Sequence, residues 1–373
     1  MIKKIALIFL SLLFSLLLIY IIVFAWVAIF EDYKKRNFFI NSESLKYHKK
    51  YSDQVHHLRG NLPKSYKEKN IKKEDYFFTS FSKFTKEKQN YLMQGDSWAE
   101  YLTLKNNAIE TLNSIIKTKN IGFINGGVSS YSPSAMKVQY EILEKEYNIK
   151  PDYLITIIDQ TDIGDELCRY KRNIINNEDG TVNYIKRERN TDAVGDYSKY
   201  YSFSNILFEK KTFINFYVTN YYFYKTVVTF RSKIYFLIKD GFKNRNNYKC
   251  RFGQIQKYLY SIEEEDVKYF KKRTQEYLDF LQKKNYLKNI FIVTFPHEKH
   301  LTGEYKVNVS SIINELNLSE KINHINFTEL IETNDFNSDN IYQTEDPASH
   351  LNEDAHSLFV KKIFELIDLD LKK

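Results

Sequence analysis

Tyr153-Leu154-Ile155-Thr156-Ile157-Ile158-Asp159-Gln160-Thr161-Asp162 is the stretch that decides the fold. Six residues, almost all apolar and β-branched, run without a polar partner face and stop abruptly at an acidic, polar cluster. A strand buried on both faces reads this way, and parallel sheets are built of such strands. The same grammar recurs on either side. Tyr91-Leu92-Met93-Gln94 is a short strand ending at Gly95, and Ile121–Asn125 is another, ending at Gly126-Gly127. Further on, Asn289–Phe295 and Ile322–Phe327 read as strands. Helical patterns fill the intervals: about Ala99–Lys117, Pro133 to about Tyr147, Asp266–Lys284 and Ala355–Leu369. Ser132 stands as N-cap before the proline of the second of these. Strands alternating with helices predict an α/β domain with a parallel sheet covered on both faces. Ligands of such sheets bind beyond the C-terminal ends of the strands.

The rest of the chain sets the organisation. It has 373 residues, 43% hydrophobic and 27% charged, the balance of a folded protein rather than a disordered one. A short tail, residues 1–4, precedes Ile5–Phe30, which is apolar except for Ser11, Ser15 and Tyr20. About 20 apolar residues cross a bilayer, whereas a cleaved signal peptide has a shorter apolar stretch and a small-x-small site. Ala25-Trp26-Val27-Ala28 is a poor match to such a site, so the segment reads as an uncleaved transmembrane signal anchor. Lys3 and Lys4 flank one end and Lys34, Lys35 and Arg36 the other. Long domains translocate largely regardless of such charges, and the large domain is expected on the extracytoplasmic side. Residues 31–87 read as a stalk and lead-in, and 88–373 as the domain, with an insertion at about 168–261 whose part Phe213–Ile238 is aromatic-rich.

The net charge of +8 comes mostly from scattered lysines, with no dense basic stripe and little arginine beside them. Nucleic acid is therefore not an expected partner. Two cysteines, Cys168 and Cys250, make no disulfide framework, although a single bridge fits an oxidising compartment.

Each strand end carries a polar motif. Gly95-Asp96-Ser97-Trp98 follows a strand and opens a helix, where Ser97 would face free N–H groups. Taken alone, the tripeptide fits an ordinary N-cap as well. Asn125-Gly126-Gly127-Val128-Ser129 can present a glycine N–H to a substrate oxygen, or be a plain tight turn. Asp159-Gln160-Thr161-Asp162 sets polar side chains beside the same crevice, or is a solvated acidic loop. His350-Leu351-Asn352 precedes the last helix, with Asp346 upstream, as a base and its orienter would. His297 and His300, in Pro296-His297-Glu298-Lys299-His300, do not make the His-Glu-x-x-His zinc pattern and read as rim residues.

The order and spacing of these four blocks resemble the SGNH/GDSL hydrolase family over about Tyr91–Leu369. The resemblance implies a flavodoxin-like three-layer α/β/α domain. It makes Ser97 the nucleophile, His350 the base and Asp346 the third triad member, with Glu345 and Asp354 as alternatives. Gly127, the Ser97 N–H and Thr161 would form the oxyanion hole, and neither a metal nor an organic cofactor is implied. Two blocks depart from the family. Thr161 stands where an asparagine is usual, and Pro347 stands where the acid three residues before the histidine is usual, leaving Asp346 one residue further away. Divergent members associated with cell-envelope glycans look similar, with an N-terminal anchor. The expected activity is hydrolysis or transfer of O-acyl, above all O-acetyl, groups on a polysaccharide or peptidoglycan, with a membrane partner supplying acyl groups in the transfer case. The alternatives are a non-catalytic glycan-binding protein of the same fold and a lipid esterase or thioesterase.

Overall fold

The computed structural model describes residues 2–30, 78–103, 106–186, 262–303, 307–333 and 349–372, together with 305, 336 and 341–343. The chain divides into two compact units: Met1–Lys50 with Arg189–Asn247, and Tyr51–Glu188 with Tyr248–Lys373. In the first, helix α1 spans Ile2–Phe30. Its described side chains are those of Leu7, residues 10–22 and Ala25, and Leu10, Phe14 and Leu17 among them are exposed. Among the described residues no helix is long and apolar enough to cross a membrane. The anchor expected over Ile5–Phe30 therefore rests on the sequence.

The second unit is a mixed α/β domain with a mostly parallel central sheet, consistent with a three-layer arrangement. Six strands make the sheet: β1 (Thr79–Ser82), β2 (Asn90–Gln94), β3 (Gly122–Asn125), β4 (Tyr153–Asp159), β7 (Asn289–Phe295) and β8 (Ile322–Asn326), in the spatial order β1-β3-β2-β4-β7-β8. All neighbours are parallel except β1, which pairs antiparallel with β3 at the edge. Every residue of β4 is buried, as its uninterrupted apolar sequence requires.

Side chains alternate across the sheet. Tyr91, Met93, Phe123, Ile155, Ile157, Phe291 and Val293 face a core shared with helices α3 (Asn106–Lys119) and α7 (Glu353–Asp370). Tyr91 stacks on Tyr153 of the neighbouring strand, with ring centroids 4.8 Å apart. Gln94 points to the other side, toward α4 (Pro133–Tyr147) and α6 (Glu264–Gln282). There its amide donates to Met136 O (3.1 Å) and Gln139 Oε1 (2.7 Å), and its carbonyl accepts from the Tyr277 hydroxyl (2.9 Å). A buried amide satisfied on three sides fixes how the two helices sit on the strand.

Three expectations change. The lead-in to residue 87 already contains β1, an edge strand too short to stand out from the lysines around it. The single helix read over Ala99–Lys117 is broken into α2 (Ser97–Glu100), a 3₁₀ turn (Tyr101–Thr103) and α3. The first piece is fixed from outside: the Glu100 carboxylate accepts the Ser129 N–H at 2.9 Å, across from β3. The start of the expected insertion is part of the domain. Residues 161–165 form α5, a π-type turn follows to Tyr170, and β5 (Ile174–Asn176) and β6 (Val182–Ile185) make a hairpin through Asp179-Gly180. The hairpin is tied to α4 by Lys137 Nζ donating to Val182 O (2.6 Å), and to α6 by Arg273 donating to Asn176 Oδ1 (3.1 Å). The aromatic stretch Phe213–Ile238 lies outside the described residues.

Candidate active site

The strand order reverses beside β2. From β2 the chain crosses to β3 on one side, then returns past β2 to β4 on the other. The loops leaving β2 and β4 thus diverge and open a crevice at their C-terminal ends, the usual ligand position in such sheets. Gly95 makes the first turn. Its φ of +154° and the Ile157 carbonyl, 3.0 Å from where a Cβ would be, leave room only for glycine. Asp96 then caps α2, its Oδ1 accepting the Trp98 N–H at 2.8 Å. Ser97 follows as the first helical residue and is half-buried.

Gly127 lies against this turn. A Cβ there would sit 2.4 Å from Glu100 N and 2.5 Å from the Ala99 carbonyl carbon. The loop after β3 is bound to the β2 end through Gly126 N–H to Met93 O (2.7 Å) and Val128 N–H to Gly95 O (3.0 Å). Asn125 locks the contact, its amide donating to Ala99 O (2.7 Å) and its Oδ1 accepting the Gly127 N–H (2.8 Å).

His350 arrives from the far end of the chain. It is buried, and its backbone is clasped by residues 341–343: Gln343 N–H donates to His350 O and Asn352 N–H to Ile341 O, both at 2.8 Å. The Tyr101 ring lies 4.3 Å from the imidazole, centroid to centroid. His350 Nε2 is 2.7 Å from Ser97 Oγ. The two residues, 253 positions apart, meet in hydrogen-bonding geometry.

Beneath them lies a floor of carboxyls. Asp96, Asp159 and Asp162 are buried, and acidic atoms of the three lie within 4.8 Å of one another. Asp96 Oδ2 is 2.9 Å from Ser97 Oγ. Asp159 accepts the Thr161 N–H (3.0 Å), the Thr161 hydroxyl (2.9 Å) and the Asp162 N–H (3.2 Å). Asp162 Oδ2 accepts the Asp159 N–H at 3.3 Å, and its Oδ1 is buried without a partner. Burial pushes all three above the ordinary carboxylate range. The Trp98 N–H and His350 oppose the rise at Asp96, while the Asp96 charge adds to it at Asp159 and Asp162. Asp165, one turn on, is pushed up to about 6 by burial despite the Arg169 guanidinium 2.5 Å away. This is the one grouping among the described residues compact enough to hold a cation. Five of its six oxygens, however, already accept internal hydrogen bonds, which suits shared protons better than an ion needing six or more oxygen ligands.

Several expected roles change with this geometry. The Thr161 hydroxyl is spent on Asp159, and the Gly127 N–H is engaged by Asn125. The Ser97 N–H lies against the Asp96 carboxylate. Gln160 turns away to Val309, whose N–H it accepts at 2.9 Å. The Asp159–Asp162 segment is therefore a buried acid cluster, neither a solvated loop nor an array of donors. His297 is buried rather than at the rim. Its Nδ1 accepts the Lys299 N–H (3.1 Å) and its ring lies near Ser349 Oγ and Tyr305. Ser132 caps α4 by position only; its hydroxyl donates to Glu166 at 2.5 Å. Asp354 points away, accepting from Asn107 at 3.0 Å. Asp346 and Glu345 lie outside the described residues. The sequence reading missed Asp96 and Tyr101 as neighbours of the Ser97–His350 pair, although acids at 96, 159 and 162, at the ends of two neighbouring strands, were a visible signal.

An open cleft of about 480 Å³ lies elsewhere, on the outer face of α4 between Val138, Ile142, Lys145 and Tyr184, and none of the site residues lines it. No protein-family model matches the chain, and no curated protein matches it.

Proposed function

We propose that the domain is a serine acyl-hydrolase or acyltransferase of the SGNH/GDSL type. The observation that carries this reading is the 2.7 Å contact between Ser97 Oγ and His350 Nε2 at the mouth of the crevice. A half-buried serine on a sharp strand-to-helix turn, hydrogen-bonded to a buried imidazole, is the nucleophile and general base of acyl transfer. The strand order supports the finer fold assignment. Counted along the chain, the five parallel strands stand in the order 2-1-3-4-5, that of the flavodoxin-like sheet.

As Ser97 Oγ bonds to the ester carbon, its proton passes to His350 Nε2 and the carbonyl electron pair moves onto oxygen. His350 then returns the proton to the leaving alkoxide as the ester bond breaks. Water or a sugar hydroxyl reverses the sequence on the acyl-serine. An oxyanion would have to draw on N–H groups that now have internal partners, that of Gly127 bound to Asn125 Oδ1 among them. Such contacts commonly tighten only once substrate is bound.

The substrate class follows from the expected location. The apolar run Ile5–Phe30 serves as the anchor, and Cys168 is disulfide-bonded, which suits an oxidising, extracytoplasmic compartment. Esters available there include O-acetyl groups of envelope polysaccharide or peptidoglycan. A specific feature favours a second reading, a glycan-binding protein without catalysis: the Thr161 hydroxyl, expected to help bind the oxyanion, is turned inward.

A fluorophosphonate probe separates the two. The intact chain should be labelled covalently, and Ser97→Ala should abolish labelling while leaving the melting temperature within a few degrees. A wild-type chain that is never labelled and never cleaves an activated acetyl ester supports the binding protein instead.

A further inference from the structure

The base of the candidate pair is gripped from the turn that carries the nucleophile. Tyr101 closes α2 four residues after Ser97, its N–H donating to Ser97 O. Its half-buried ring lies on the His350 imidazole, with centroids 4.3 Å apart and planes inclined by 35°. Trp98 stands beside the same imidazole at 6.2 Å and is itself packed on Phe295 at 4.6 Å. We propose that Tyr101 is a positioning residue for the base. Its ring keeps His350 Nε2 aimed at Ser97 Oγ and stabilises the positive charge that His350 gains on taking the serine proton. The inference rests on the acyl-transfer reading of this site.

The first half of the argument is steric. The bonds from Gln343 and Asn352 hold the His350 backbone, but they leave the ring free to turn about its own side-chain bond, a torsion with a broad and shallow preference. Only one setting of that torsion puts Nε2 2.7 Å from Ser97 Oγ. A ring lying 4.3 Å from its face restricts the turn. Aromatic rings that meet edge to face need centroids about 5 Å or more apart, so a quarter turn would drive the imidazole edge into Tyr101. The support is firm, because α2 is held by Glu100, whose N–H donates to Asp96 O (3.0 Å) and whose carboxylate accepts the Ser129 N–H (2.9 Å). Nucleophile and base thus share one short turn. The second half is electrostatic. The face of a phenol ring is negative and attracts a cation within about 6 Å. The neutral imidazole gains little from this, whereas the imidazolium formed as Ser97 Oγ bonds to the ester carbon gains more. His350 is 6% exposed, so water screens that charge poorly. An interaction that strengthens as charge develops lowers the barrier and leaves substrate binding alone. The proton leaves Ser97 Oγ, rests on His350 Nε2 and departs with the alkoxide; Tyr101 neither gives nor takes one.

Substitution at position 101 separates the shape of the ring from its charge. Cleavage of 4-nitrophenyl acetate by the full-length chain in detergent gives kcat and KM, and calorimetry gives the melting temperature. Tyr101→Phe keeps the ring and should keep most of the turnover. Tyr101→Leu fills the space without a π face, and its kcat should fall by about three- to thirtyfold with KM within about twofold of wild type. Mono-, di- and trifluorophenylalanine placed at the same position drain the negative face and hold the shape. Along that series kcat should fall stepwise at a constant melting temperature, where a ring that merely fills space would give one rate throughout. The fluorinated series decides the matter if Tyr101→Leu fails to fold. The proposal is overturned if Tyr101→Phe is as slow as Tyr101→Leu, if Tyr101→Leu turns over like wild type, or if kcat ignores the fluorine count. A wild type that reacts neither with the ester nor with a fluorophosphonate defeats the acyl-transfer reading instead, and NMR of isotope-labelled histidine then tests the grip by itself. The His350 ring signal, identified by its loss in His350→Gln, should be narrow in wild type and broadened by ring motion in Tyr101→Leu. The same line in both refutes the positioning role.

Discussion

Gly127→Ala offers a demanding check on how the nucleophile is held. The added Cβ would lie 2.4 Å from Glu100 N, 2.5 Å from the Ala99 carbonyl carbon and 2.6 Å from Ala99 Cβ. Two of these are backbone atoms of the turn that carries Ser97, and they cannot swing aside as a flexible side chain would. Relief needs about 1 Å of movement between the β3 loop and α2, against Asn125, which ties both by bonds of 2.7 and 2.8 Å. Overpacking of this kind costs about 1–3 kcal/mol and sometimes more, and a rigid double contact belongs at the upper end. At roughly 2–4 °C per kcal/mol for a domain of this size, the melting temperature should fall by about 6–12 °C. A shift of about 1 Å at Ser97 would also slow acylation by up to about a hundredfold. Gly126→Ala is the control, since its nearest neighbour, Met93 O, stands at 3.2 Å. Scanning calorimetry and timed fluorophosphonate labelling measure the two effects. A Gly127→Ala chain that melts within about 2 °C of wild type and labels at the same rate would refute the argument that this glycine seats the Ser97 turn.

Two further outcomes are expected. The folded-state pKa values of Asp96, Asp159, Asp162 and Asp165 are raised, so their contribution to stability is full below the unfolded value of about 4 and is lost as pH rises. For Asp165 the loss runs from about 4 to about 6 and is complete above that, and for Asp159 and Asp162 it extends higher. Thermal melts above pH 6.5, where His324 (held down to about 4 by burial) adds no slope, should therefore fall with pH, and less steeply in Asp162→Asn. Superimposable profiles would mean that the cluster does not hold protons. The full-length chain should also resist alkaline extraction from membranes, and a reporter fused after Lys373 should be active outside the cytoplasm. A cytoplasmic signal would remove envelope glycans as substrate.

Sequence by itself determined the elements and their kind. Pro133–Tyr147 and Asn289–Phe295 begin and end where proline, apolar runs and polar breaks mark them. Unbroken burial of β4 follows from residues 153–158 having no polar face, which only a parallel, doubly covered strand can accommodate. Ser97 and His350 were legible for the same reason: each follows a recognisable boundary, and local chemistry sets the Gly-Asp-Ser turn. What the sequence could not determine was where polar groups find their partners, because a hydrogen bond is a matter of distance in space. Thr161 looked like a donor for substrate, yet its hydroxyl turns back to Asp159 two residues away. His297 looked like a rim residue, yet packing with Ser349 and Tyr305 buries it. Asp96 and Asp159 are 63 positions apart and meet only because β2 and β4 are neighbours at the point where the strand order reverses. That topology gathers carboxyls into one dry site, and burial there rather than residue type sets their charge.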